Sequence, residues 1–312
     1  MDKSSRIVVT GAAGLLGQNL VLLLRESGYN NLLAIDKHPQ HLAKLRELHP
    51  DLDILEQDLA KPGEWASRFA DADVVLQLHA QITGLHEDVF IRNNIEATKN
   101  VLDVIKKQQI PYLVHISSSV VNSVADDFYT KTKTKQEQIV DQSEIEHCTL
   151  RPTLMFGWFD PKHLGWLSRF MSKTPVFPVP GNGKFVRQPL YARDFCRVII
   201  RAMEKRMHGT YDIVGQEKIT YIDMLKLIKK AKQLKTKIWC IPYGLFSGLL
   251  GLYAVFNKKP PFTRQQLKAL TAGDIFEGVD PKAIFDLDFT PLQAAVAETY
   301  TDPKYSKILL ER

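Results

Sequence analysis

Thr10-Gly11-Ala12-Ala13-Gly14-Leu15-Leu16-Gly17 is the stretch that decides the fold. It follows a short β-branched apolar run, Ile7-Val8-Val9, and leads directly into an apolar segment ending near Arg25. A strand, a tight glycine turn and a helix start form the setting in which such a pattern holds a dinucleotide. Glycine lacks the Cβ that would obstruct the turn and keep a phosphate at a distance. The helix start offers unpaired N–H groups and the positive end of its dipole. Within the loop, Gly11, Ala13, Gly14, Leu15, Leu16 and Gly17 are the expected contacts to a pyrophosphate. Asp36 closes the next apolar run, Leu32-Leu33-Ala34-Ile35, at the distance a ribose-binding carboxylate requires.

Outward from the loop, residues 6–151 alternate short apolar runs with amphipathic stretches. Strands are expected at Ile7–Thr10, Leu32–Asp36, Leu52–Glu56, Val74–Leu78, Tyr112–Ile116 and Cys148–Arg151. Helices are expected near Leu15–Arg25, His41–Leu48, Trp65–Phe69, Val89–Lys107 and Asp127–Asp141. This alternation predicts an α/β fold, a Rossmann-type doubly wound parallel sheet whose ligands lie beyond the strand C-termini. Asp58-Leu59, Ala80-Gln81, Ser117-Ser118-Ser119 and Pro152 all fall on that rim. Beyond Arg151 prolines and glycines multiply, which predicts a smaller C-terminal α/β substrate-binding region. The expected division is 1–151 and 152–312, interleaved at its start and near 185–215. Within the second part, Ile238–Phe256 is the most apolar run, flanked by Lys235, Lys237, Lys258 and Lys259. It reads either as a buried or lid helix over an apolar substrate, or as a peripheral membrane contact through 238–256. Pro242, three glycines and several polar residues argue against a transmembrane span.

The composition is that of a globular protein, with 45% hydrophobic and 24% charged residues in 312. A net charge of +6 without a long basic block gives no indication of nucleic acid. Cys148, Cys196 and Cys240 are few, odd in number and far apart. They are expected to be buried, apolar in character, neither disulfides nor part of a metal site. The short polar lead, Met1 to Arg6, runs straight into the first strand, so a cytoplasmic location is expected.

Tyr129-Thr130-Lys131-Thr132-Lys133 carries the chemistry. On a helix the i,i+4 spacing places phenol and ammonium on one face. A nearby ammonium lowers a phenol's pKa and prepares it for acid–base work. Ser118, ending the preceding strand, can hydrogen-bond the same substrate oxygen.

Nearly the whole chain resembles the extended short-chain dehydrogenase/reductase family, in its NAD-dependent epimerase/dehydratase branch. The matching pieces follow one another in order. They are Thr10–Gly17 for T-G-x-x-G-x-x-G, Asp36, and Asp58-Leu59 for the adenine contact. Asn94 to Asn100 is similar to N-x-x-G-T-x-N, and Tyr129/Lys133 to Y-x-x-x-K. Leu150-Arg151-Pro152, the segment Arg187 to Asp194, and Asp286 to Pro291 complete the series. The resemblance implies NAD held by the glycine loop and Asp36, with further contacts from Asp58, Leu59, Ala80, Asn94, Ser117 and Pro152. It implies catalysis by Ser118, Tyr129 and Lys133, with Tyr129 and Lys133 also at the nicotinamide ribose. Val121, three residues after Ser118, selects that serine among its neighbours. Asp36 would repel a 2′-phosphate, so NAD is expected over NADP despite Lys37.

Departures from the pattern shape the rest. The usual H-x-A-A appears as Gln77-Leu78-His79-Ala80, which makes His79 either a buried structural residue or a substrate contact. Ser119 and Val120 stand where sugar-nucleotide 4,6-dehydratases carry an acidic pair, which disfavours dehydration. The late R-x-G-D motif is reduced to Thr271-Ala272-Gly273-Asp274, leaving Arg187 as the phosphate candidate unless it pairs with Asp194. The expected activity is NAD-dependent epimerisation or oxidoreduction of a secondary hydroxyl on a nucleotide-linked sugar. The alternatives are a ketoreductase or dehydrogenase of a 4-keto sugar nucleotide or sterol-like alcohol, and a non-catalytic cofactor-binding subunit. The resemblance further implies a homodimer through the helices at Val89–Lys107 and Asp127–Asp141.

Overall fold

In the computed structural model, residues 1–124, 126–256, 267 and 275–310 are described. The first five strands are β1 (Ile7–Thr10), β2 (Leu32–Asp36), β3 (Asp53–Glu56), β4 (Val74–Gln77) and β5 (Leu113–Ile116). Helices α1 (Leu15–Glu26) and α2 (Pro39–Leu48) follow β1 and β2. A 3₁₀ segment, Glu64–Phe69, precedes β4. The long helix expected after β4 is built in three pieces: α3 (Glu87–Phe90), a π-helical turn Ile91–Glu96, and α4 (Ala97–Lys107). Next come α5 (Phe128–Asp141), β6 (His147–Pro152) and β7 (Met155–Phe156). The second half adds α6 (Leu164–Lys173), β8 (Val176–Pro180), β9 (Val186–Arg187), β10 (Leu190–Tyr191) and α7 (Ala192–Lys205). It ends with β11 (Gly209–Ile213), β12 (Ile219–Thr220), α8 (Tyr221–Ala231), β13 (Lys237–Ile241), α9 (Tyr243–Phe256) and two short helices, Pro281–Phe285 and Leu292–Thr301.

The main sheet has seven strands in the order β11-β6-β5-β4-β1-β2-β3, every pairing parallel. Its composition explains why it is covered on both faces. Ile7 and Val9 enter one core with α1 and α7, whereas Val8 enters the other with Val101, Leu102 and Trp65. Continuous apolar strands need two covered faces, and alternate residues supply them. The strand order reverses between β1 and β4, so the crevice of this sheet opens above Thr10 and Gln77.

Three expectations change in the structure. The sheet has a seventh strand, β11, drawn from beyond residue 151 and paired with β6 from Gly209↔Cys148 to Ile213↔Pro152. The run Ile238–Phe256 is not one helix. Lys237–Ile241 pairs with β8 as a parallel strand, and a helix starts only after Pro242. A short apolar run reads equally as strand or buried helix by periodicity alone, and the proline marks the break. Cys240 lies on that strand and is exposed, unlike the buried Cys148 and Cys196. A separate apolar cluster, including Phe156, Phe177, Tyr221 and Leu225, supports the second half. Thr271–Asp274 and Lys258-Lys259 lie outside the described residues.

Candidate active site

The glycine loop is closed against its neighbours at Gly11 and Gly17 and open at Gly14. Gly11 has φ of +70°, and a Cβ there would lie 2.7 Å from the His79 backbone nitrogen. A Cβ on Gly17 would lie 2.3 Å from the Gly11 carbonyl oxygen, which fixes the first turn of α1 against the loop. Gly14, the N-cap of α1, would meet only the Gly11 oxygen at 3.6 Å, so the space above it is open. The N–H groups of Leu15, Leu16 and Gly17 precede the helical ladder and have no partner within the helix. The first turn carries no acidic side chain to occupy them.

Asp36 is tied to this loop directly. Its Oδ2 accepts the Ala13 N–H at 3.0 Å, and its Oδ1 accepts those of Lys37 and His38 at 2.7 and 3.2 Å. Lys37 turns aside, donating to Asn93 Oδ1 at 2.6 Å. Farther along the rim, Asp58 is paired with Arg92. Burial acts to raise the Asp58 carboxyl, but its bonds to Arg92 and the Ala60 N–H leave it below the usual value. Leu59 is buried, and its carbonyl accepts Asn100 Nδ2 at 2.9 Å. Ala80 stays exposed beside the loop.

Asn94 sits in the π-helical turn, fully buried. Its Oδ1 accepts the Gln81 N–H at 2.6 Å, while Nδ2 donates to Gln81 O and Thr132 Oγ1 at 3.2 and 3.0 Å. The amide therefore braces the Ala80–Gln81 backbone against α5. π-turns of this kind recur where a helix must re-aim a functional side chain.

Of the three residues expected to act together, Ser118 lies beside the Tyr129 phenol, whereas the Lys133 ammonium is held by other partners. Asp127 caps α5 by accepting the Thr130 N–H at 2.8 Å, which sets the register that points Tyr129 and Lys133 inward. Ser118 ends the loop after β5, its Oγ accepting the Val120 N–H at 3.4 Å, and its hydroxyl stands close enough to the Tyr129 phenol to act on its pKa. The expected lowering of that phenol does not occur. Burial raises it, and the Ser118 hydroxyl opposes the rise. Lys133 is completely buried, with Nζ donating to the Ile116 carbonyl at 2.8 Å and to Gln136 Oε1 at 2.5 Å. Burial pulls its pKa down to about 7, with Glu137 opposing.

Behind the lysine lies a network that the motifs do not display. Thr98 Oγ1 accepts from Gln136 Nε2 at 2.7 Å and from Gln77 Nε2 at 2.8 Å. Its own proton is then directed to His79 Nε2 at 3.3 Å, which assigns the proton of that ring to Nδ1. Nδ1 donates in turn to Thr10 Oγ1 at 2.9 Å. A directed chain of hydrogen bonds thus runs from Lys133 through Gln136, Thr98 and His79 to the start of the glycine loop. With both nitrogens bonded, His79 is a neutral cross-link. Burial, then the charges of Lys133 and Lys37, push its pKa down to about 3. Sequence reading missed Gln136, whose one signal is its place one helical turn from Lys133 on the same face.

The same level of the sheet is polar across five strands. Thr10, Gln77, His115, Thr149 and Thr210 stand in register on β1, β4, β5, β6 and β11. His115 is fully buried, and neither ring nitrogen has a hydrogen-bond partner among the described residues. Burial and the Lys133 charge hold it neutral, well below the usual histidine value. Ser117 is also buried, its Oγ without a partner among the described residues, and Pro152 ends β6 beside it. Arg187 is buried on β9, its guanidinium 5.7 Å from the Phe185 ring centroid. Asp194 bonds Arg197 and both Thr290 N and Oγ1.

Comparison with known proteins places this geometry in a lineage. A ceramide reductase from Caulobacter vibrioides is 23% identical over 178 residues, 57% of this chain and 55% of that protein. The chain spans about half the length of the curated relatives it matches. A UDP-glucose 4-epimerase from Thermotoga maritima shares the fold with a TM-score of 0.75, at 18% identity over 94% of this chain and 97% of the other. A dTDP-glucose 4,6-dehydratase from Streptomyces venezuelae does so at 0.74, with 16% identity over 96% and 97%. Residues 7–214 match the NAD dependent epimerase/dehydratase family, and the chain is a member of that family.

Proposed function

We propose that this protein is an NAD-dependent epimerase or oxidoreductase that acts on a secondary hydroxyl. The observation that carries the reading is the Ser118 hydroxyl beside the Tyr129 phenol, with Lys133 buried one turn further along α5. Burying a lysine completely is costly, and a merely structural helix has no reason to do so one turn from a phenol. The loop geometry fits a dinucleotide: an open helix N-terminus at Gly14, a backbone that excludes a Cβ at Gly11 and Gly17, and Asp36 bonded to Ala13. Gly11, Ala13, Gly14, Leu15, Leu16 and Gly17 would hold the pyrophosphate and Asp36 a ribose. Asp58 and Leu59 would meet the adenine, with Ala80, Ser117 and Pro152 along the rim. Asn94 would act through the Ala80–Gln81 backbone.

Bound NAD supplies the acceptor and donor of hydride. The protein's own part is the proton. Tyr129, kept neutral by burial, is a ready acid toward a substrate oxygen. In the oxidising direction it must first stand as the phenolate, which takes the hydroxyl proton and returns to the neutral phenol while Ser118 orients the same oxygen. Lys133 in its ammonium form makes the phenolate less costly, and Ile116 and Gln136 fix where that charge stands. NAD is preferred over NADP because Asp36 is locked by three N–H groups while Lys37 is turned to Asn93. His79 is assigned to the network and not to the substrate, since both its nitrogens are bonded.

A nucleotide-linked sugar is the leading substrate class, supported by the buried Arg187 against Phe185, a guanidinium suited to phosphate. An apolar alcohol is the second reading, favoured by the exposed apolar residues of α9. The exclusion of 4,6-dehydration rests on Ser119 and Val120 alone, because the fold is shared with a dehydratase. A thermal-shift screen with NAD present tests the substrate class. Stabilisation by UDP-, GDP- or dTDP-sugars supports the first reading, and a flat response across them transfers the proposal to the apolar alcohol.

A further inference from the structure

The charge of the chain is unevenly placed. Residues 224–273 contain ten lysines and arginines and no aspartate or glutamate, so this segment carries +10 and the remainder −4. Lys226, Lys230, Lys235 and Lys237 of this segment are exposed on α8, on β13 and between them. Inside the same segment, residues 238–257 bear no charged side chain. Part of that apolar surface faces outward. Trp239 and Leu245 are each 59% exposed, Leu249 50% and Tyr243 44%. The two features meet in one open groove, lined by Met171, Lys173, Leu234, Lys235, Lys237 and Trp239.

We propose that α9 and Trp239, with Lys173, Lys235 and Lys237 beside the tryptophan, dock on an anionic lipid surface. An aromatic and leucine face supplies the part that enters the headgroup boundary. Lysines beside it keep their ammonium groups at the phosphates while their stems lie on apolar surface. A 14-residue helix is ~21 Å long, short of the ~30 Å hydrocarbon core, so it lies in the interface. Among the described residues no helix is long and apolar enough to cross a membrane. A second copy of the chain is a poorer occupant. A two-fold contact through this face would set the basic segment against itself. The inference does not depend on the activity proposed above.

Flotation with vesicles of phosphatidylcholine, with and without phosphatidylglycerol, tests it. The purified full chain is expected to bind the anionic vesicles roughly tenfold better, with the preference falling as salt rises. Tryptophan emission should shift to the blue on binding, and Trp239→Phe should remove that shift. Leu245→Asp with Leu249→Asp should abolish flotation, and Lys235→Glu with Lys237→Glu should remove the anionic preference. Stabilisation by NAD in each variant reports an intact fold and separates this result from any failure of the cofactor reading. Three results overturn the proposal. They are no flotation of the wild type, undiminished flotation of the double aspartate variant, or a dimer that this variant converts to monomer while vesicles bind neither.

Discussion

At the scale of single residues, the cofactor loop makes two sharp demands. Gly17→Ala drives a Cβ to 2.3 Å from the Gly11 carbonyl, backbone against backbone, with no flexible side chain to yield. Its expected cost is about 2–3 kcal/mol of stability together with loss of NAD binding, both read by thermal shift. Asp36→Ala frees the Ala13 N–H and removes the charge that opposes a 2′-phosphate. NAD affinity should fall at least about tenfold while NADP affinity holds or improves. An unchanged NAD-to-NADP ratio in calorimetry would refute the assignment of Asp36. These positions were legible in the sequence because their chemistry is local: a glycine between a strand and a helix, an acid at the next strand end. The direction of the Tyr129 shift was not legible. The i,i+4 spacing predicts a lysine beside the phenol, but Lys133 bonds the Ile116 carbonyl and Gln136, and burial governs the phenol.

At the scale of elements, the fold read well where periodicity was strong and poorly where pairing is remote. β1 and β2 were predicted to their end residues, because β-branched runs bounded by glycine or aspartate leave little choice. The π-turn at Ile91–Glu96 was invisible, since a changed hydrogen-bond register inside a helix leaves the apolar pattern intact. β11 lies in the part expected as a separate substrate-binding region, and it joins the main sheet only after the chain has left it. The most consequential unread feature is the hydrogen-bond chain between α5, α4, β4 and β1. Gln136→Leu tests it. The substitution takes one acceptor from the buried Lys133 and one donor from Thr98. We expect a loss of about 2 kcal/mol. The ammonium is also less well held, so the alkaline limb of the activity profile should move to lower pH. A stability loss with an unmoved limb would mean that the network only packs and does not position the lysine.

At the scale of the whole molecule, neutral histidines in the core make stability depend on pH. His79 and His115 both have folded pKa values below the ordinary 6.5, so the unfolded chain binds the extra protons. Their neutral forms support the fold fully above that value, and the support is lost as pH falls below it. From about pH 7 to about pH 5 each should remove about 2 kcal/mol, measured by the urea midpoint. His79→Asn and His115→Leu should each take about 2 kcal/mol out of that loss, with His38 and His49, also lowered by burial, leaving part of the slope in place. If both leave it unchanged, the rings are not buried neutral in solution. The family and its cofactor half were within reach of the sequence, whereas the substrate was not. The half beyond residue 152 is assembled by remote contacts such as the pairing of β9 with β12, where close pairing and not local pattern decides which side chains meet.

The central claim is that Tyr129 moves the proton on an NAD-bound family scaffold. The most direct measurement compares wild type and Tyr129→Phe for NAD affinity and for turnover of whichever sugar nucleotide or alcohol the thermal-shift screen selects. We expect NAD affinity within about twofold and turnover lowered by roughly 10²–10⁴-fold. Undiminished turnover in Tyr129→Phe, or a wild-type protein that binds no NAD, would contradict it.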